Sequence, residues 1–204
     1  LLCRVLDTIE DSAYPDVNAK LAHMEEFGSF MKKRPSLARV QAWLRRLPDS
    51  IKPEERRLLD DTWVLLSDYH GLDAAERRIL QETLASMSNG MAYYLRKSDE
   101  LAKARSDTEV VQRPNELCLM SLVDVNRYCF FVAGVVGELL SRLFEIHGEG
   151  FVFDAKKRLR AHQFGLFLQK INLLKDQLDD ESVGRRLVPS QDELWASLER
   201  DMRG

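Results

Sequence analysis

Cysteine is scarce: Cys3, Cys118 and Cys129 are the only three in 204 residues. An odd number with no close pair excludes a disulfide framework or a zinc-ligand spacing, and each thiol reads as a small buried apolar side chain. Glycine and proline are few, at 10 and 6, which excludes collagen-like and linker-like chains. No one sign of charge dominates, since 30 Lys+Arg stand against 33 Asp+Glu for a net −3. A chain without a basic face has no claim to a nucleic-acid partner. Long hydrophobic runs are missing too. The longest, Tyr128 to Gly137, ends at Glu138 and falls well short of the roughly 20 residues a bilayer helix needs. The expected setting is a reducing cytoplasm. The four histidines, His23, His70, His147 and His162, share no metal-ligand spacing and read as surface or satisfied residues. Trp43, Trp63 and Trp195 read as packing residues.

The chain is instead rich in helical periodicity, and its 45% hydrophobic content is ample for a core. Leu21, Met24, Phe27, Phe30 and Met31 repeat at three and four, then Lys32-Lys33-Arg34-Pro35 stops the helix. A short helix is expected from Pro35-Ser36 through Trp43. Another should start at Lys52-Pro53-Glu54-Glu55 and run to Tyr69, with Pro and acids in the first turn. Asp73 is a plausible N-cap for a long helix through Leu80, Leu84, Met87, Met91 and Leu95. Ala104 to Asn115 breaks the period and reads as a loop. Leu117 to Ile146, Ala155 to Asp180 and Gln191 to Met202 complete the helices, and no strand alternation is visible. The fold class is all-α.

Two acidic stretches lie on these helices. At 100° per residue, Asp7, Glu10 and Asp11 share one face with Arg4 beside them. Gln169, Asn172, Asp176 and Asp180 form a polar stripe on a helix that is otherwise apolar at Phe167, Leu168, Ile171 and Leu174. Most acidic runs are merely solvated faces. Two carboxylates held in a cleft, however, repel by roughly 3 kcal/mol at an effective dielectric of 20, and such a cleft calls for cations. Hard divalent ions with oxygen ligands fit, and Mg²⁺ usually bridges carboxylates to a substrate phosphate. A third feature is the run from Tyr128. Tyr128, Val132, Val135 and Leu139 line one face of its helix; Ala133, Gly134, Gly137 and Ser141 line the other. Glycine in a helix costs about 1 kcal/mol. Two of them imply either a closely packed neighbouring helix or room for an elongated apolar ligand.

Together these motifs resemble the squalene/phytoene synthase family. The resemblance is carried by Asp7-Thr8-Ile9-Glu10-Asp11, the Y-C-x-x-V-A-G-x-V-G run from Tyr128, and Phe167-Leu168-Gln169-Lys170-Ile171-Asn172-Leu173-Leu174-Lys175-Asp176 with Asp179-Asp180. Gly90-Met91-Ala92 and Ser141-Arg142-Leu143-Phe144 agree as well, and the wording is nearer the squalene synthase branch. The resemblance implies an isoprenoid synthase-type helical array around a central cavity, with 1–204 as one partial domain. An upstream helix with a Ser-Arg pair and further C-terminal helices are expected outside this sequence. It implies head-to-head condensation of two farnesyl diphosphates through a cyclopropyl diphosphate, with NADPH reducing the product to squalene. Dehydrosqualene or phytoene synthesis, or a silent assembly factor of the same fold, are the alternatives. By similarity, Asp7, Glu10, Asp11, Asp176, Asp179 and Asp180 would hold Mg²⁺. Arg4, Gln169, Asn172, Lys175 and Arg185 would bind diphosphate, with Arg4 and Tyr128 acting at the reacting centre. Val132, Gly134, Val135 and Leu139 would line the pocket. The lipophilic substrate makes peripheral membrane association an expectation; oligomeric state is not encoded in any motif. Lys175 stands where an Arg is common, Asp179 where Glu is, and Arg186-Leu187-Val188-Pro189 replaces a more aromatic segment.

Overall fold

A computed structural model describes the backbone of residues 1–104, 117, 119, 121–148, 150–182 and 191–203, with side chains described for all of these except 104, 176–182, 191 and 203. The described residues are mostly helical, with no strand among them, as the periodicity predicts. The order is α1 (Leu2–Asp11), α2 (Val17–Lys32), α3 (Leu37–Leu44), α4 (Pro53–Asp60), α5 (Thr62–Gly71), α6 (Ala74–Ala104), α7 (Leu122–Cys129), a π-turn (Phe130–Gly134), α8 (Val135–His147), α9 (Ala155–Ser182) and α10 (Gln191–Arg203). Residues 105–115 of the expected loop lie outside the described residues. The chain divides into two compact units, Leu1–Ser88 and Asn89–Gly204.

In the first unit, Asp16 Oδ1 caps α2 by accepting from the Ala19 N–H at 2.8 Å, and the expected Leu21–Met31 stripe is buried. Trp43 is the centre of this core. It stacks on His23 and Phe27 and meets Phe30 edge-on, and its indole N–H donates to the His23 carbonyl at 3.2 Å. The single helix expected over 52–69 is two helices. At Asp61 the backbone turns to φ −80°, ψ 2°, outside the helical well, so Asp61 closes α4 and opens α5. Asp73 caps α6 as expected: its Oδ1 accepts from the Ala75 and Glu76 N–H groups at 2.9 and 3.0 Å, while Glu76 accepts from the Asp73 N–H at 3.0 Å. This is a reciprocal capping box.

In the second unit, the helix expected from Leu117 starts instead at Leu122. Ser121 Oγ accepts from the Asp124 N–H at 3.1 Å and fixes that start, with acidic Asp124 in the first turn. The helix is also not uniform. After Cys129 it widens into the five-residue π-turn and resumes as α8 at Val135. The α6 stripe Gly90, Met91, Tyr94, Leu95 and Ser98 is buried here, and the Tyr94 ring stands edge-on to Tyr128 at 5.7 Å between centroids. Trp195 corrects the expectation for tryptophans, being 53% exposed on α10. Cys129 is buried and its thiol is pushed up to about 12, chiefly by burial; Cys3 is half-buried, and Cys118 lies outside the described residues. Among the described residues no helix is long and apolar enough to cross a membrane.

Candidate active site

Helix α1 presents the first acidic row. Its apolar face (Leu2, Val5, Leu6, Ile9) is buried, which leaves Asp7 half-buried, Glu10 buried and Asp11 exposed along the adjoining face. The Asp7 carboxyl is pushed up to about 7, first by desolvation and then by the neighbouring Asp11 charge, against a smaller lowering from Arg4. A carboxylate made costly by burial and a like charge regains its anionic form when a cation arrives. The all-oxygen donor set therefore fits a hard divalent ion such as Mg²⁺. Among the described residues no three His, Cys, Asp or Glu side chains converge as a closed metal site. Arg4 is exposed, and its guanidinium donates to Glu55 of α4 at 2.6 Å. Behind the row, Lys20 of α2 is buried and its Nζ donates to the Glu10 carbonyl at 2.5 Å. A cation there meets the negative end of the α1 dipole.

The second unit carries the other expected residues. Gln169 is half-buried, and Asn172 and Lys175 are exposed on α9. Asp176, Asp179 and Asp180 lie on the helical backbone of α9, but their side chains are outside the described set, and Arg185 is outside it altogether. Tyr128, Val132, Val135 and Leu139 are all buried. The glycines account for the close approach of α9. A Cβ on Gly137 would stand 2.4 Å from the Ala161 carbonyl oxygen, and one on Gly165 would stand 2.5 Å from that of Ala133. Beside Gly134 the space is taken by Leu166 and Phe130. Of the two reasons open for glycine here, helix-on-helix packing is the one present.

These contacts also set a register. Four residues forward from Ala133 to Gly137 answer four residues back from Gly165 to Ala161, so the helices run antiparallel. Continued five residues the other way, the register puts Tyr128 about level with Lys170, between Gln169 and Asn172 along α9. The neighbouring Cys129 thiol feels the charges of Lys170 and Asp201, as that register requires. The turn of α7 that carries Tyr128 thus lies at about the height of Lys170 on α9.

No motif in the sequence singles out Lys20, Lys170, Asn126, Ser197 or Asp201. A signal existed for the lysines. Lys20 sits on the stripe Val17, Leu21, Met24, and Lys170 on Leu166, Leu173. A charge on an apolar stripe is expensive unless partnered. His23 also departs from expectation: it is 4% exposed, its Nε2 finds no partner among the described residues, and burial holds it down at about 4.

Residues 1–202 match the family model described as squalene/phytoene synthase. The squalene synthase of Schizosaccharomyces pombe is 27% identical over 96% of this chain, and those of Homo sapiens and Yarrowia lipolytica are 29% identical over 96% and 100%. The chain spans only 38%, 39% and 40% of their respective lengths. With the match running through both acidic stretches and the tyrosine helix, the chain belongs to the squalene/phytoene synthase family.

Proposed function

We propose that the protein is a Mg²⁺-dependent, squalene synthase-like transferase that joins two farnesyl diphosphates head to head through a cyclopropyl diphosphate, with squalene as product when NADPH is supplied. Residues 1–204 would be part of one isoprenoid synthase domain. The observation that carries the reading is the face of α1 that gathers Asp7, Glu10, Asp11 and Arg4, where burial and the Asp11 charge push the Asp7 carboxyl up. Family membership and the squalene synthase relatives support the choice of substrate class.

In this reading Asp7, Glu10 and Asp11 on α1 would be ligands for Mg²⁺, as would Asp176, Asp179 and Asp180 on α9. Bound Mg²⁺ would supply Lewis-acid neutralisation of the departing diphosphate. Arg4, Gln169, Asn172, Lys175 and Arg185 orient diphosphate oxygens. Arg4 exchanges its Glu55 partner for phosphate, an inexpensive step because the guanidinium side of the pair is solvent-exposed. Tyr128, seated in the buried layer with Tyr94, offers its hydroxyl for proton transfer and its ring face to a developing carbocation. Val132, Val135 and Leu139 keep water from that cation, and Gly134 lets α9 close onto the π-turn. No described residue is assigned to NADPH. Lipophilic substrates bring the protein to membrane surfaces peripherally.

The test is product analysis of the full-length protein with farnesyl diphosphate and Mg²⁺. A cyclopropyl diphosphate or dehydrosqualene without NADPH, and squalene with it, is expected. A C40 product would move the protein to the phytoene branch, and no condensation product would leave the helical assembly factor.

A further inference from the structure

Lys170 is fully buried, yet it is a charged residue on the stripe by which α9 packs. Its Nζ donates to Ser197 Oγ at 2.7 Å and to Asp201 Oδ2 at 2.5 Å, both on α10. Ser197 Oγ in turn donates to Asn126 Oδ1 on α7 at 3.3 Å. One ammonium thus ties α9 to α10 through contacts 27 and 31 residues apart, and Ser197 carries the tie on to α7 through a contact 71 residues apart. The ties fall at a particular height. Asn126 is two residues before Tyr128, and Lys170 lies between Gln169 and Asn172. Packing alone does not call for a charge here, because well-packed apolar side chains replace buried ion pairs without loss in many proteins. What apolar packing cannot supply is direction. An ammonium fixed by a carboxylate and a hydroxyl admits one register, whereas a methionine stem slides.

We propose that Lys170, with Ser197, Asp201 and Asn126, is a positioning clamp that sets the register of α7 against α9, and so places Tyr128 relative to Gln169 and Asn172. The clamp acts through these residues and touches no substrate. Its catalytic consequence rests on the proposed prenyltransferase reading; its geometric consequence does not.

The experiment uses the full-length protein in three forms: unaltered, Ser197→Ala, and the apolar triple variant Lys170→Met, Ser197→Ala, Asp201→Leu. Each is measured for melting temperature, for kcat and KM with farnesyl diphosphate, and for the ¹⁹F resonance of 3-fluorotyrosine placed at position 128. A positioning clamp predicts that Ser197→Ala melts within a few degrees of the unaltered protein while kcat falls about tenfold or more at unchanged KM, since small misplacements remote from the chemistry carry penalties of that size. The ¹⁹F line should shift or broaden. The triple variant should stay folded and lose more of kcat. If kcat and the ¹⁹F line are unmoved in Ser197→Ala and in the triple variant, or if only the melting temperature changes, the network is structural and the proposal fails. If the unaltered protein condenses no farnesyl diphosphate, the functional reading falls, while the ¹⁹F line still decides for or against the clamp.

Discussion

Each unit anchors its polar helix with a buried lysine, but the two lysines work differently. Lys20 reaches the Glu10 carbonyl, ten residues away in sequence, and closes the last turn of the carboxylate helix α1. Lys170 reaches side chains on another helix and, through Ser197, a third. The first device is local: it depends on one helix end and the chain that follows it. The second exists only when three helices are already in place. An acidic row can therefore be stiffened cheaply by a cap, whereas the height of a reactive tyrosine against a neighbouring helix has to be set by a tertiary network.

The largest expected effect is on chemistry. Asp176→Asn and Asp7→Asn should each reduce turnover of farnesyl diphosphate by about 10³-fold or more, the loss of several kcal/mol of transition-state stabilisation. Asp176→Asn should leave the melting temperature nearly unchanged, and a large loss of stability would mark it as structural.

The lysine comparison comes next. Lys170→Ala strands the Asp201 carboxylate and should cost about 3–5 kcal/mol by denaturant unfolding, the penalty for breaking a buried pair. Lys20→Ala removes a charge-assisted bond to one carbonyl and should cost about 1.5–3 kcal/mol. Equal losses would erase the distinction between a local cap and a tertiary clamp.

Two titrations in the first unit have opposite signs. The folded Asp7 pKa lies above its unfolded value of 3.8, at about 7. Its contribution to stability is complete below pH 4 and is lost as pH rises through 7. Asp7→Asn should accordingly match the parent near pH 4 and, in metal-free buffer at pH 8, be more stable by about 2–4 kcal/mol. The folded His23 pKa lies below its unfolded 6.5, at about 4, so stability is present above pH 6.5 and is lost as pH falls to 4. His23→Gln should remove about 3 kcal/mol of pH dependence in that window. Urea denaturation of both variants from pH 4 to 8 checks the signs.

The smallest effects concern glycine. Gly165→Ala meets the Ala133 carbonyl and should cost about 1–3 kcal/mol. Gly28→Ala in α2 has open space around its Cβ and should gain about 0.5–1 kcal/mol.

Most helix boundaries were legible because periodicity, caps and proline stops agree. The α2 stripe from Leu21 to Met31 and the Asp73 cap emerged where expected. The break at Asp61 was not legible, since Asp-Asp-Thr carries no proline or glycine. Nor was the π-turn, because one extra residue per turn in an apolar run leaves no mark on composition. Candidate site residues could be read from motif order, since the chemistry needs carboxylates on helix faces. Their supports could not, because Ser197, Asp201 and Asn126 become meaningful only once three distant helices meet at Lys170.

The central claim is that the α1 row waits for a divalent ion in company with a diphosphate. It is tested most directly by calorimetric titration of Mg²⁺ with inorganic pyrophosphate into the full-length protein at pH 7, in two buffers of different ionisation enthalpy. A site that drives a carboxyl from about 7 to its anion must release protons on binding. Once the protein-free Mg²⁺–pyrophosphate heats are subtracted, the binding heats in the two buffers should differ in proportion to the protons released and to the difference in buffer ionisation enthalpy, and that difference should fall in Asp7→Asn. Identical heats in the two buffers, or joint binding that Asp7→Asn leaves unchanged, would contradict it.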